Sequence, residues 1–474
     1  MLHNLKQSLG LTSLGQTIVL ILALAIGSPT LAQHSEPADN WGNFRGPNFN
    51  GVSSTATPPT EWSADKNVGW KVEIPGAGSS SPVVWGDKVF VTTAVNQQPD
   101  VKKPARLTRQ EIYNKFDTDG DGRLSDAERP AAQQFMRDRA KATLTNHQFI
   151  VLCFNRKTGE KVWEKVANER EPVDGHHADG NYAAASPVTD GKQLFVNFGS
   201  MGLFCYDLDG EEIWKRTDLG EMQTRGGFGE GSSITLTDEL VILPWDHEGQ
   251  SKIEALNRTT GETVWKTDRE EPSAWATPVI ATVDGKSHVI HAGDNFSCGY
   301  DLKSGEEIWR SSGLSMRPVA TPVVYKNLGI FSASRQGATL HAYYLDRTGD
   351  ISSDPAWKII KHSTDCSSLL LSENRLFYVS GNKGMLSCSN AEDGSPLFAT
   401  QRLSGIRGIY SSPVAADGKV FVTGRGGTTV VLKDAETFET IATNSVGEPV
   451  DATIALAGKQ IFIRGKNHLF CIQE

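Results

Sequence analysis

"SSPVVWGDKVFVTT", residues 80–93, opens with a short tag that returns along the whole chain. It recurs as "ASPVT" at Ser186, "SSITL" at Ser233, "ATPVI" at Thr277, "ATPVV" at Thr321, "SSLLL" at Ser368, "SSPVA" at Ser412 and "ATIAL" at Thr453. Counted from Ser81, the intervals are 105, 47, 44, 44, 47, 44 and 41 residues. Each tag leads through a Gly/Asp turn into an alternating strand. A third strand with a small residue follows, then an acidic turn and an aromatic residue. "CFNRKTGEKVW" to Trp163, "FCYDLDGEEIW" to Trp214, "EALNRTTGETVW" to Trp265 and "CGYDLKSGEEIW" to Trp309 are clear copies. Short strands at even spacing with a periodic aromatic residue specify a β-propeller, one four-stranded blade per period. A single blade cannot bury both of its faces, so neighbours must stack.

Trp163, Trp214, Trp265, Trp309 and Trp357 mark fourth strands, with Phe398 and Ile441 in two divergent copies. The chain ends on "HLFCIQE", a third strand, and "VGWKVEI" around Trp70 supplies the missing fourth. The expected fold is therefore all-β, an eight-bladed propeller over residues 65–474, closed by an N-terminal strand that removes the free edge. Cys153, Cys205, Cys388 and Cys471 share the small-residue position of the third strand, and Cys298 stands one place off. Equivalent positions in successive blades are too far apart to bridge, so these cysteines are expected to be buried free thiols.

One interval carries about 60 extra residues, as insertions in repeat folds do, and within it lies "DTDGDGRLSDAE", residues 117–128. Asp117, Asp119, Asp121, the Arg123 carbonyl, Ser125 and Glu128 stand at the ligand offsets of an EF-hand loop, with Gly122 at the sharp turn. "TRQE" at 108–111 reads as a capping box for the entering helix. A small helical insert is expected over residues 95–146, between the second and third strands of the first blade, holding calcium. A single unpaired hand implies weak affinity and a structural ion.

Residues 1–32 read as a signal peptide: Lys6, the apolar run "TIVLILALAIG" and a small-residue cleavage site at Thr30-Leu31-Ala32. That run is too short to span a bilayer, so no transmembrane segment is expected in the mature chain. Export places the protein in the periplasm or outside the cell. No cysteine precedes residue 153 to carry a lipid. The net charge of -9 argues against a nucleic-acid partner. Residues 33–64 form an N-terminal extension.

The loops before the tags should line the mouth of the central channel, with the insert overhanging them. They bring His176, His177, Asn181 and Tyr182, then Arg225 and Glu230, Trp275, Arg317, Asp365, Arg407 with Tyr410, and Asp451. The residues expected to carry binding are His176, His177, Arg225, Trp275, Arg317, Arg407 and Tyr410. Such a funnel suits a small anionic or planar ligand. The paired histidines could also ligate a metal, although zinc needs more ligands than two. No hydrolase triad, phosphate loop or metal-helix motif is present, and no catalytic residue is assigned.

The opening "WGNFRGPNFNGVS" from Trp41, with blade endings of the form small-x-Asn/Asp-x-x-Thr-Gly-x-x-x-Trp, resembles the pyrroloquinoline-quinone-like β-propeller repeat proteins, and the likeness covers residues 41–474. Two functions follow from the resemblance. One is a binding or scaffold module of the cell envelope that engages protein partners, here as a monomer. The other is a pyrroloquinoline-quinone-dependent dehydrogenase of alcohols or sugars. The family's enzymes stack the quinone on a disulfide between adjacent cysteines, and this chain has no Cys-Cys pair. The reading therefore favours the scaffold.

Overall fold

The computed structural model describes residues 39–101, 107–141, 143–312, 317–333, 339–360, 363–380 and 383–474. The leader expected over residues 1–32 lies outside them. Eight sheets stand in sequence order around the axis, seven of them with four consecutive antiparallel strands in the order of the chain, and form an eight-bladed propeller. Blade 1 consists of Val83–Trp85, Lys88–Asn96, His147–Asn155 and Lys161–Arg170. Blade 8 takes Ala455–Ala457, Gln460–Arg464 and His468–Ile472 from the end of the chain, and Val68–Glu73 closes it. In that closing pair Trp70 faces Cys471.

The two repeating sequence features have separate structural causes. The tag makes hydrogen bonds from one blade to the next. The Ser81 N–H donates to Ser186 Oγ at 2.9 Å, Ser186 N–H to Ser233 Oγ at 2.9 Å, Ser368 N–H to Ser412 Oγ at 2.9 Å, and Ser412 N–H to Thr453 Oγ1 at 2.9 Å. A small hydroxyl residue is needed because first strands crowd at the axis, and a buried N–H must find a partner.

The tryptophan makes the outer seam. Trp70, Trp163, Trp214, Trp265 and Trp357 each donate the indole N–H to a main-chain oxygen of the next blade, those of Arg156, Leu208, Arg258, Leu302 and Ala391. The ring lies flat on the turn glycine. A Cβ on Gly159, whose φ is +75°, would come within 2.7 Å of Trp70, so both backbone conformation and space demand glycine there. On the third strand, Cys153 faces Trp163, Cys205 faces Trp214, Gly299 faces Trp309 and Cys388 faces Phe398. The small position is thus the one opposite the large ring, and Cys298 stands beside it. All six cysteines are free, five of them buried.

Residues 39–64 do more than extend the chain: they plug the face opposite the tags. Trp41 is fully buried and bridges to Val84 of blade 1. The buried Arg45 donates Nη1 to the Pro413 oxygen at 3.1 Å and Nη2 to the Leu369 oxygen at 2.6 Å, tying blades 6 and 7 together. Val52–Ser53 adds a parallel strand to blade 7, and Phe49 packs in the core between blades 4 and 5. The cavity at the channel mouth is lined by the loops that precede the tags. Among the described residues no helix is long and apolar enough to cross a membrane.

Candidate functional site

The insert is two helices, α1 Arg109–Phe116 and α2 Arg129–Lys141, between the second and third strands of blade 1. Thr108 and Glu111 form the expected capping box. Phe116 packs on Phe135 at 5.3 Å, the contact that holds the helix pair together. In the loop, Asp117 accepts from the Gly120 and Gly122 N–H groups at 2.7 and 2.8 Å, and Asp121 accepts from Arg123 N–H at 2.7 Å. Glu128 folds back to accept from the N–H and hydroxyl groups of Thr118 and Ser125. Those hydrogen bonds, led by the Thr118 hydroxyl, hold its carboxyl down at about 2, so it is ionised throughout the physiological range. Oxygens of Asp117, Asp119 and Glu128 lie within 4.8 Å of one another, a fit for one hard cation. α2 lies against the turn Arg225–Gly227, so the insert reaches over the mouth of the channel.

That mouth is a cavity of about 440 Å³, built by the loops that precede the tags of blades 2 to 7. His177, Trp275, Arg317 and Tyr410 line it, as do Asn181, Glu230 and Asp365. The Arg317 guanidinium stands 5.2 Å from the Phe228 ring centre, and Phe228 packs on Trp275 at 6.4 Å. The Trp275 indole N–H is held by the Gly229 oxygen at 2.7 Å, which fixes its ring in the wall. Glu230 forms the floor. It is enclosed and accepts from both Ser200 N–H and Ser200 Oγ at 2.6 Å, and burial pushes its carboxyl up to about 7.

The remaining sequence-derived residues are placed elsewhere. Arg225 turns away to Asp294 at 2.9 Å and Glu248 at 3.3 Å rather than to Glu230. Arg407 is exposed and does not line the cavity. His176 donates Nδ1–H to the His177 oxygen at 2.7 Å and packs on Tyr182 at 4.7 Å, while the His177 ring meets Phe228 at 5.3 Å. The two imidazoles therefore serve different neighbours rather than one ion. Three expected arginines reduce to one, Arg317, with Asp365 at 3.9 Å. The funnel is aromatic with mixed charge, not basic.

Sequence reasoning missed the strut across this mouth. Asp179, from the loop between blades 1 and 2, accepts from Tyr410 Oη at 3.0 Å and pairs with Arg425 at 3.2 Å, both in blade 7 or its approach. Arg425 also pairs with Asp451 at 2.7 Å and lies 3.9 Å from the Tyr410 ring centre. Hydrogen bonds from Arg425 first, then Tyr410, lower the Asp179 pKa. The strut divides the mouth into the funnel and a second cup, of about 370 Å³, beside blades 8 and 1. Cys366, left without a role in the sequence, lines the funnel, and burial raises its thiol to about 12, which keeps it unreactive.

Eight blades joined by this tag and tryptophan seam define a propeller of the quinone-repeat class. The chain belongs to the family described as outer membrane protein assembly factor BamB, whose model matches residues 147–400. Among solved structures it is similar to BamB from Moraxella catarrhalis, at 16% identity over 69% of this chain and 88% of that one, with a TM-score of 0.46. It is also similar to quinohemoprotein alcohol dehydrogenase from Comamonas testosteroni, at 9% identity over 91% of this chain and 80% of that one, with a TM-score of 0.55. A europium-containing methanol dehydrogenase shares 12% identity over 83% of this chain and 89% of that one, with a TM-score of 0.43. No curated protein sequence matches the chain.

Proposed function

We propose that this protein is an exported, monomeric, calcium-binding propeller that acts as a binding or scaffold module in the cell envelope, receiving its ligand or partner at the funnel. The observation that carries the reading is the funnel itself: Phe228, Trp275 and Tyr410 offer ring faces and Arg317 one cation, above a floor made by Glu230. Rings and a single guanidinium suit a planar ligand or an aromatic side chain of a protein partner. The family description, an outer membrane protein assembly factor, supports protein partners. Residues 1–32 support export to the periplasm or beyond. Calcium at Asp117, Asp119, Asp121, the Arg123 carbonyl, Ser125 and Glu128 would fix the insert, and through α2 the rim of the funnel.

The quinone dehydrogenase reading fits the residues less well. No two of the six free cysteines are adjacent, so the disulfide platform that the resemblance implies cannot form. Among the described residues the acidic cluster spaced to hold a cation lies on the insert and not at the funnel.

Titration of the purified protein with pyrroloquinoline quinone, in calcium and in chelator, tests both readings through tryptophan fluorescence. Absence of quenching in both conditions, with capture of envelope proteins lost in a Trp275→Ala, Arg317→Ala variant, is the expected result. Stoichiometric quenching at micromolar quinone would overturn the scaffold reading in favour of the enzyme.

A further inference from the structure

The second cup holds a charge that forms no ion pair among the described residues. Arg464 ends the second strand of blade 8, at the place held by Thr92, Asn197, Pro244, Ala292, Ser332, Val379 and Thr423 in the other blades. Where seven blades put a small or neutral residue against the axis, the eighth puts a guanidinium with about 1% of its surface exposed. Its Nη1 donates to the Thr92 oxygen at 2.9 Å, but among the described residues Nε and Nη2 have no partner. Those two atoms form one edge of the guanidinium, the edge that meets an oxyanion side-on. Burying such donors unmet is costly.

The neighbours leave that charge open. Arg425 shares the cup and is already neutralised by Asp179 and Asp451. Glu448 acts on Arg464 through space only, because its oxygens accept from the Asn467 and His468 N–H groups and from His468 Nδ1. Lys466, two residues on, stands exposed at the rim, and among the described residues no carboxylate lies within ion-pair reach of it. Gly78 faces the guanidinium across the cup, and a Cβ there would lie 2.9 Å from Nη2. Glycine is the residue that so close an approach admits.

We propose that the cup between blades 8 and 1 is an oxyanion-binding subsite, in which Arg464 supplies the buried charge and free donor edge and Lys466 the rim charge for one carboxylate or phosphate group. Arg464 and Lys466 line the cup and not the funnel, while Asp179, Gly180 and Asn181 border both, and the proposal does not depend on what the funnel binds.

Calorimetric titration of the full protein with inorganic phosphate, and separately with citrate, tests it and tells the two oxyanion sources apart. One site is expected for at least one of them, weakened by added salt. Arg464→Lys keeps the charge but loses the fork and should weaken it about tenfold or more; Lys466→Ala, at the exposed rim, should cost about threefold. Should Arg464→Lys fail to fold, as circular dichroism would show, Lys466→Ala decides alone. Absence of binding to the unaltered protein at tens of millimolar of either anion, or an affinity unchanged in the folded variants, would overturn the proposal.

Discussion

The Trp70 indole N–H donates to the Arg156 main-chain oxygen at 2.9 Å, and this bond joins the strand that closes the ring to the first blade. The ring is 8% exposed and packs at 5.9 Å from Phe462 as well as on Gly159. Trp70→Ala removes a large buried ring and strands a carbonyl, which should cost about 3–5 kcal/mol. Because Trp70 sits on the closing strand, proteolysis should then cut first near residues 65–75. A guanidinium midpoint equal to that of the unaltered protein would show that closure does not rest on this side chain.

Glu230 should make stability fall as the solution turns from acid to neutral. Its carboxyl titrates at about 7 in the fold, against a usual value of 4.5, because burial penalises the anion. Between those values the folded state holds more protons than the unfolded state, so raising the pH favours unfolding. Full ionisation amounts to up to about 3 kcal/mol. Glu271, raised to about 7 chiefly by burial, acts in the same direction. Glu230→Gln should flatten the fall between pH 4.5 and 7 and gain stability at pH 8. A melting temperature with the same pH slope in the variant would refute this assignment.

The repeat, the blade count and the closing strand were legible because each rests on a local rule that most blades obey. A hydroxyl is needed where Ser81 meets Ser186, and a ring where Trp163 meets Leu208. The helix pair of the insert was legible for the same reason: its capping box lies within four consecutive residues. The funnel was only partly so. Which loops reach the axis follows from the repeat, but which side chains turn inward depends on partners in other blades, tens to hundreds of residues away. Arg225 is drawn off by Glu248 and Asp294, and Asp179 is drawn across to Arg425, 246 positions along the chain. The plug was hidden because "WGNFRGPN" has no strand period. Arg464 left a trace that comparing the eight second strands would have found.

Calcium should bind the insert at one site, with the low affinity of an unpaired hand, a Kd of about 10⁻⁴ to 10⁻³ M. At tenfold excess over Kd it would stabilise the insert by about 1.4 kcal/mol. Glu128→Gln removes the oxygen pair that closes the loop and should abolish binding in this range while leaving the propeller's melting unchanged in chelator. The check is calorimetry with calcium alone, with far-ultraviolet circular dichroism reporting the helices. Calcium heats equal in Glu128→Gln and the unaltered protein would place the ion elsewhere.

Asp246 and Arg269 form a closed pair inside blade 3, each about 1% exposed, with contacts of 2.8 and 3.2 Å. His291 adds Nε2 to the same carboxylate at 3.1 Å, and Arg269 reaches the Tyr300 hydroxyl. Burial first lowers the His291 pKa, so the ring is neutral and donates without adding charge. Asp246→Asn leaves the guanidinium uncompensated, and Arg269→Met leaves the carboxylate with a neutral histidine; each should cost about 3–5 kcal/mol. The double variant buries no charge and should lose well under the sum of the two, with a coupling of about 1–3 kcal/mol. Denaturant unfolding of all four proteins measures the cycle. Additive losses would mean that the two residues are held apart by the fold and do not stabilise it as a pair.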